Sequence, residues 1–244
     1  MKVIILAGGL GTRLSEFTSS IPKPMVTVGG EPILFHIMKH YAKYDFKDFY
    51  IASGYKSEVI KDYFLNYRSL NSDFTVNLKT GETSLINEEK MDWDWNVTVI
   101  NTGIDSMTGG RLKRMQPYLN DEPFLLTYGD ALANVDIKKL LKFHKKNKKL
   151  VTLTAVRPPA RFGVIKITGS NVKYFKEKSK LDEGWINGGF FVMQPEFLNF
   201  IKNDQTFLEK EPMEILTKKN QLNAFKHNDF WQCMDTKRDK DNLD

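Results

Sequence analysis

The sequence predicts an α/β fold on a mixed, mainly parallel sheet, and three observations carry that expectation. Short apolar runs of strand length, Val3 to Ala7, Phe49 to Ser53, Val97 to Ile100 and Phe124 to Tyr128, alternate with segments whose apolar residues recur at helical spacing. That rhythm is the mark of right-handed crossover units, which place ligands at the carboxyl ends of the strands. The first run also empties directly into Gly8, Gly9 and Gly11, as a strand does where its backbone must approach something closely. At 244 residues the chain can bury a substantial core, and one domain spanning 1–244 is expected.

Composition narrows the classes. A hydrophobic content of 41% and a charged content of 27% are ordinary for a soluble globule. No run approaches the roughly 18 apolar residues of a membrane span. Met1-Lys2 leads straight into the first strand rather than into a signal peptide, so a cytoplasmic protein that does not bind membranes is expected. The single cysteine, Cys233, excludes an intrachain disulfide and agrees with a reducing compartment. A net charge of +6 invites a nucleic-acid reading, concentrated in the lysines from Lys138 to Lys149. Leu140, Leu141 and Phe143 among those lysines are what a surface helix with one buried face gives, so no nucleic-acid binding is expected.

Taken in order, the opening loop carries the first chemistry. Glycine removes side chains that would hold a phosphate away, consecutive N–H groups can line an anion site, and Arg13 after Thr12 offers a fixed fork of donors. Lys23, held between Pro22 and Pro24, adds a second positive charge on a stiff segment, and together these point to a polyphosphorylated ligand. The loop is no dinucleotide fingerprint, because Leu14 stands where the third glycine belongs. It is no Walker loop either, because it ends in Thr12-Arg13. After a Gly29-Gly30 turn, Pro32 opens a helix with Ile33, Leu34, Ile37, Met38 and Tyr41 on one face. His36 and His40 lie four apart on it without a third ligand and are read as structural. Ser57 to Phe64 reads as a helix, and Tyr67 to Asp92 as loop or short edge strands.

Beyond Val97–Ile100, Ser106 to Arg114 (SMTGGRLKR) opens a helix whose first turn carries Arg111, where free N–H groups and the macrodipole would favour a phosphate or nucleotide. Phe124–Tyr128 ends in Gly129-Asp130, a carboxylate at a strand's carboxyl end, the place for a magnesium ligand; a turn-capping aspartate is the plainer reading. Asp136 caps a helix over Ile137 to Asn147. From Leu150 the pattern turns to extended segments, Val151–Val156, Phe162–Ile167, Val172–Phe175 and Ile186–Met193. Glu177-Lys178 there offers an acceptor beside a cation, and Asn187-Gly188-Gly189 a side-chain amide with space beside it for a sugar ring. Pro195–Ile201 and Glu211–Lys218 read as helices and Leu222–Lys226 as a strand, before WQCMDT brings Asp235. Mg2+ prefers one or two carboxylates with phosphate oxygens and water, and only the fold could bring Asp235 to Asp130.

LAGGLGTRL followed by PKPM resembles the signature of the sugar-1-phosphate nucleotidyltransferases. GGEPILFHIMK, DFYIASGYKSEVIKDYF, TGIDSMTGGRLKR, YGD, INGGFFV and FWQCMDTKRD are similar to the glucose-1-phosphate cytidylyltransferases among them, over nearly the whole chain. The resemblance implies a Rossmann-like nucleotide-diphospho-sugar transferase sheet in a homo-oligomer. It implies transfer of CMP from CTP to α-D-glucose 1-phosphate, giving CDP-glucose and pyrophosphate, with Mg2+ as cofactor. Residues 1–149 would form the nucleotide-binding half and 150–244 the sugar-binding half. Gly8, Gly9, Gly11, Thr12 and Arg13 would hold the triphosphate, with Leu6 and Ala7 near the base or ribose, and Ser106, Arg111 and Gly129 also at the nucleotide. Arg13 and Lys23 would offset charge on the α-phosphate and the departing pyrophosphate, Asp130 and Asp235 would hold Mg2+, and Glu177, Lys178, Asn187 and Gly188 would take the sugar phosphate. The substrate phosphate is already a nucleophile, so positioning and electrostatics would carry the catalysis. The chain departs from the family pattern at Ala131, Asn134 and Ser179, where a glycine, an acid and a proline are usual. Two alternatives are a thymidylyl- or uridylyltransferase and a catalytically silent sugar-nucleotide-binding subunit. The silent subunit would lack one of Arg13, Lys23, Asp130 or Asp235, and all four are present.

Overall fold

Alternation along the first strand sets the layering. The structure, a computed structural model, describes residues 1–86, 93–158, 164–176 and 184–244. Strand β1 (Val3–Ala7) is buried throughout. Val3, Ile5 and Ala7 join one core cluster with Ile33, Leu34, Ile37 and Tyr41 of helix α1 (Ile33–Ala42), whereas Ile4 and Leu6 join a second with Leu112 and Met115. Successive side chains point to opposite faces, so the sheet is covered on both sides. A strand buried on both faces reads as an unbroken apolar run, which is why this one could be found without alternation.

The other sheet strands are β2 (Asp48–Ser53), β3 (Asn96–Asn101), β4 (Phe124–Tyr128), β6 (Val151–Val156), β7 (Ile186–Met193) and β8 (Leu222–Lys226); β5 (Ala131–Ala133) and β9 (Trp231–Cys233) form a separate ribbon. The seven run in the order β8-β6-β7-β4-β1-β2-β3. The pairs β1–β2, β1–β4, β2–β3 and β6–β8 are parallel, and only β7 runs against its neighbours β4 and β6. The chain goes outward from β1 to β3 and returns to β4 on the other side of β1. The carboxyl ends of β1 and β4 therefore flank a topological switch point, where crevices open in such sheets. One sheet runs through both halves of the sequence.

Helices α2 (Ser57–Leu65), α3 (Thr108–Arg114), α4 (Ile137–Asn147) and α5 (Glu211–Lys218) fall where the sequence places them. The Asp136 side chain accepts from Lys139 N at 2.9 Å, the expected cap. The basic α4 buries Ile137, Leu140 and His144 and turns its lysines outward. His36 and His40 bond the carbonyls of Val28 and Val135, which is structural use. Two expectations change. Pro195–Phe200 is a 3-10 helix. Within the segment read as loop or edge strands, Tyr67–Leu70 is a helical turn and Asp73–Val76 pairs with Thr83–Ile86 in a hairpin separate from the main sheet; residues 87–92 lie outside the described part. Among the described residues no helix is long and apolar enough to cross a membrane.

Candidate active site

A cleft of about 580 Å3 opens at the switch point, lined by the glycine loop, the ends of β1 and β4, the start of α3, and residues from β7 and β9. Fifteen residues expected at the site line it, Leu6, Ala7, Gly8, Gly9, Gly11, Thr12, Arg13, Lys23, Ser106, Arg111, Gly129, Asp130, Asn187, Gly188 and Asp235, whereas Gly189 does not. Glu177 and Lys178 fall outside the described residues, as does Ser179.

Asp130 and Asp235 are brought together by a ribbon. Strands β5 and β9 pair antiparallel with Ala131 opposite Cys233, and Met234 N donates to Asp130 O at 2.8 Å, so Asp130 lies opposite Met234 with Asp235 one residue on, and both carboxylates reach Lys23 Nζ. Asp235 is held from behind by helix α6 (Lys237–Asp241), whose capping box joins Thr236 and Asp239. The Asp239 carboxylate also accepts from Asp235 N at 3.2 Å. The T-x-x-D spacing after Asp235 is legible as such a cap.

Between the two carboxylates sits Lys23. It lies in a 3-10 turn, Lys23–Met25, with Pro22 as its N-cap and Pro24 inside it, and its side chain is only 10% exposed. Its Nζ donates to Asp130 Oδ2 and to Asp235 Oδ1, each at 2.7 Å. Arg13 Nη1 donates to Asp235 Oδ2 at 2.6 Å while its side chain stays 73% exposed at the rim. Burial alone would lower the Lys23 ammonium, but the charge of Asp130 and the hydrogen bonds to both aspartates outweigh it and hold the group above its ordinary pKa. For Asp235, burial pulls upward, yet Lys23 and Arg13 prevail and keep it below the usual carboxylate range. Two cations and two anions thus offset each other at the mouth of the glycine loop.

The donor set fits a hard divalent cation. Asp130, Cys233 and Asp235 present ligand atoms all within 4.8 Å of one another, and the Lys23 ammonium already marks a cation position between the carboxylates. Burial and the charge of Asp130 push the Cys233 thiol up. Two carboxylates are the oxygen ligands that a hard divalent cation takes together with phosphate oxygens and water.

The glycines divide their roles. A Cβ on Gly9 would meet nothing within 4 Å, whereas one on Gly8 would lie 2.2 Å from Arg111 Nη1. The space at Gly8 therefore admits the Arg111 guanidinium, which is buried and bonded to Thr102 Oγ1 at 3.0 Å, to Ile104 O at 3.0 Å and to the Gly103 carbonyl. Gly11 takes a left-handed φ of 66°. It opens the turn Thr12–Leu14.

The start of α3 corrects one expectation. The N–H groups of Met107, Gly109 and Gly110 are not free for phosphate: Gly109 N and Gly110 N donate to Thr206 O at 2.9 and 3.2 Å, and Met107 N to Asp204 O at 2.8 Å. Cβ atoms on Gly109 and Gly110 would lie 2.7 Å from Thr206 O and 2.2 Å from Asp204 O. These glycines admit the 203–206 loop. The space at Gly188 and Gly189 is likewise taken by protein, by Val156 and the Tyr128 ring, while Asn187 remains on the cleft. Sequence reasoning missed Tyr128, Thr108, Glu209 and Trp231 as lining residues; none belongs to a pattern that spacing reveals.

The profile of the nucleotidyl transferase family matches residues 2–236. The chain belongs to the nucleotidyl transferase family. Among nucleotidyl transferases, the glucose-1-phosphate cytidylyltransferases of Salmonella typhimurium and Salmonella typhi are each 52% identical to it over 241 residues, covering 98% of this chain and 93% of theirs. The crystal structure of HddC from Yersinia pseudotuberculosis complexed with GMP-PN superposes with a TM-score of 0.71 at 22% identity, covering 99% of this chain and 97% of that one. The Rossmann-like sheet of nucleotide-diphospho-sugar transferases is the fold of this nucleotidyl transferase.

Proposed function

We infer that the chain transfers CMP from CTP to α-D-glucose 1-phosphate, giving CDP-glucose and pyrophosphate. The observation that carries this is the 52% identity, over 98% of the chain, to cytidylyltransferases named for that sugar phosphate. The cleft supports it with the parts such a reaction needs. The triphosphate lies along Gly9, Gly11 and Thr12, with Leu6, Ala7, Ser106, Arg111 and Gly129 around the nucleoside and Asn187 and Gly188 beside the sugar phosphate. Glu177 and Lys178 complete that sugar site in this proposal, and residues 1–149 and 150–244 act as nucleotide and sugar halves of one domain.

The attacking atom is a phosphate oxygen of the sugar phosphate, which needs no base; its electron pair forms the new P–O bond at the α-phosphorus while the bond from that phosphorus to the α,β-bridging oxygen breaks and pyrophosphate leaves with the electron pair. Lys23 and Arg13 would offset charge on the α-phosphate and on the departing group, and donors already held in position cost little reorganisation at that moment. Asp130 and Asp235 would hold Mg2+, which when bound supplies Lewis-acid charge to the phosphate oxygens. Lys23, whose Nζ lies between the same two carboxylates, would carry its positive charge beside the phosphates. Assembly as a homo-oligomer and a cytoplasmic location belong to the same proposal, tested by light scattering and by cell fractionation.

Pyrophosphate release measured with CTP, UTP, dTTP and GTP against glucose 1-phosphate tests the base. CTP should exceed the others by roughly tenfold or more in kcat/KM; preference for dTTP or UTP overturns the cytidylyl assignment. Asp130→Asn should abolish metal-dependent turnover with the circular-dichroism spectrum retained, and survival of activity would remove Asp130 from the metal site.

A further inference from the structure

Glu209 lies in neither the glycine loop nor the aspartate pair, and its side chain ties the two sides of the cleft together. Its Oε1 accepts from the Tyr128 hydroxyl at 2.6 Å and its Oε2 from Thr108 Oγ1 at 2.7 Å. Tyr128 OH in turn accepts from Asn187 Nδ2 at 3.2 Å, and Asn187 Oδ1 accepts from Gly189 N at 2.9 Å. Thr108 Oγ1 accepts from Leu208 N at 2.9 Å. Thr108, Tyr128, Asn187 and Glu209 all line the cleft.

The direction of every link in this chain follows from its end. A carboxylate only accepts, so the Tyr128 phenol must donate to it and is left with lone pairs for Asn187. Asn187 is then fixed in one amide orientation, Oδ1 toward Gly189 and Nδ2 toward Tyr128. Its second Nδ2 hydrogen has no partner among the described residues. Without the phenol oxygen as acceptor, only the Gly189 N–H bond to Oδ1 would hold the amide, and its Nδ2 end could swing out of line with the cleft.

We propose that Glu209 is a positioning residue for the sugar phosphate: acting through Tyr128, it locks Asn187 as a hydrogen-bond donor toward a hydroxyl oxygen of the hexose, and through Thr108 it fixes that donor against the nucleotide side. This rests on the reading that the cleft takes a hexose 1-phosphate beside a nucleoside triphosphate. Glu209 is exposed at the rim, so its replacement leaves the core packing alone.

Steady-state kinetics of wild type, Glu209→Ala, Glu209→Gln, Tyr128→Phe and Glu209→Ala/Tyr128→Phe test it. Glu209→Ala should raise KM for the hexose 1-phosphate roughly tenfold, the order of one lost hydrogen bond, with KM for the nucleotide and kcat changed less than about threefold. Glu209→Gln keeps an acceptor oxygen for Tyr128 and should recover most of the loss. On the Tyr128→Phe background, Glu209→Ala should add little, because the path to Asn187 is already cut. An unchanged sugar-phosphate KM, equal rises in both KM values, or a full effect on the Tyr128→Phe background would each overturn the proposal. The wild-type row separates the two readings: if it prefers another nucleotide or hexose phosphate, the assignment of substrates fails while the same variants, run on the preferred pair, still decide the role of Glu209. A wild type that turns over no such pair overturns both.

Discussion

Lys23→Met removes the ammonium that Asp130 and Asp235 share while keeping an apolar stem in its place. Two charge-assisted hydrogen bonds of 2.7 Å disappear, each of a kind worth roughly 1.5–3 kcal/mol. What remains is two carboxylates with oxygens within 4.8 Å of each other, whose repulsion at an effective dielectric of about 20 is roughly 3.5 kcal/mol. Their side chains are 27% and 18% exposed, so water and salt screen part of this, and a net loss of about 3 kcal/mol at pH 7 is expected. The pH dependence carries the diagnosis. In the wild type Asp235 is held low against the pull of burial; that stability is present above the unfolded carboxylate pKa and is lost as pH falls through the native one. In the variant the pair retains a proton to higher pH than the unfolded chain does, so stability is greatest in acid and falls as pH rises. The gap between the two proteins should therefore be small near pH 4 and widen towards pH 7. Urea unfolding at successive pH values measures it, and melts with and without Mg2+ should show a larger cation-induced stabilisation in the variant, whose carboxylates no longer share the Lys23 ammonium and keep only Arg13 at Asp235. A gap that stays constant from pH 4 to 7, together with no extra response to Mg2+, would refute the idea that the aspartates share one cation position.

Gly8→Ala should displace the Arg111 guanidinium, since the new Cβ would lie 2.2 Å from it. A stability loss of about 1–3 kcal/mol and a raised nucleotide KM are expected, whereas Gly9→Ala, with nothing within 4 Å, should leave the melting temperature within about 2 °C. Arg13→Ala should cost less than about 1 kcal/mol in unfolding experiments, because the side chain is 73% exposed and such ion pairs contribute little. Turnover measured on the same preparation should nevertheless fall by roughly a hundredfold, the scale of one lost electrostatic donor; parallel losses of stability and rate would make Arg13 structural instead.

What could be read beforehand was whatever depends on neighbours in sequence. The four apolar strands of the first half, the amphipathic α1 and α4, and the Asp136 cap follow from periodicity and local hydrogen bonding. The opening loop was legible because glycines beside Arg13 and Lys23 are a local arrangement with a chemical meaning. The start of α3 shows the limit. Gly109 and Gly110 look like a free helix terminus until the 203–206 loop, almost a hundred residues on, is found bonded to it. Gly188 and Gly189 likewise admit Val156 and Tyr128, contacts that no spacing announces.

By itself, then, the sequence determined which segments become strands and helices, where bare amides and cations follow a strand, and that two aspartates of the right kind exist. Only the tertiary structure decided that those aspartates meet across Lys23, that Arg111 fills the space beside Gly8, and that Glu209 reaches Tyr128. The physical reason is one of range. Backbone propensity and side-chain periodicity act over a few residues, whereas the pairing of β5 with β9 sets its register through hydrogen bonds between segments about a hundred residues apart, and a shift of one residue would send every side chain of the slipped strand to the other face.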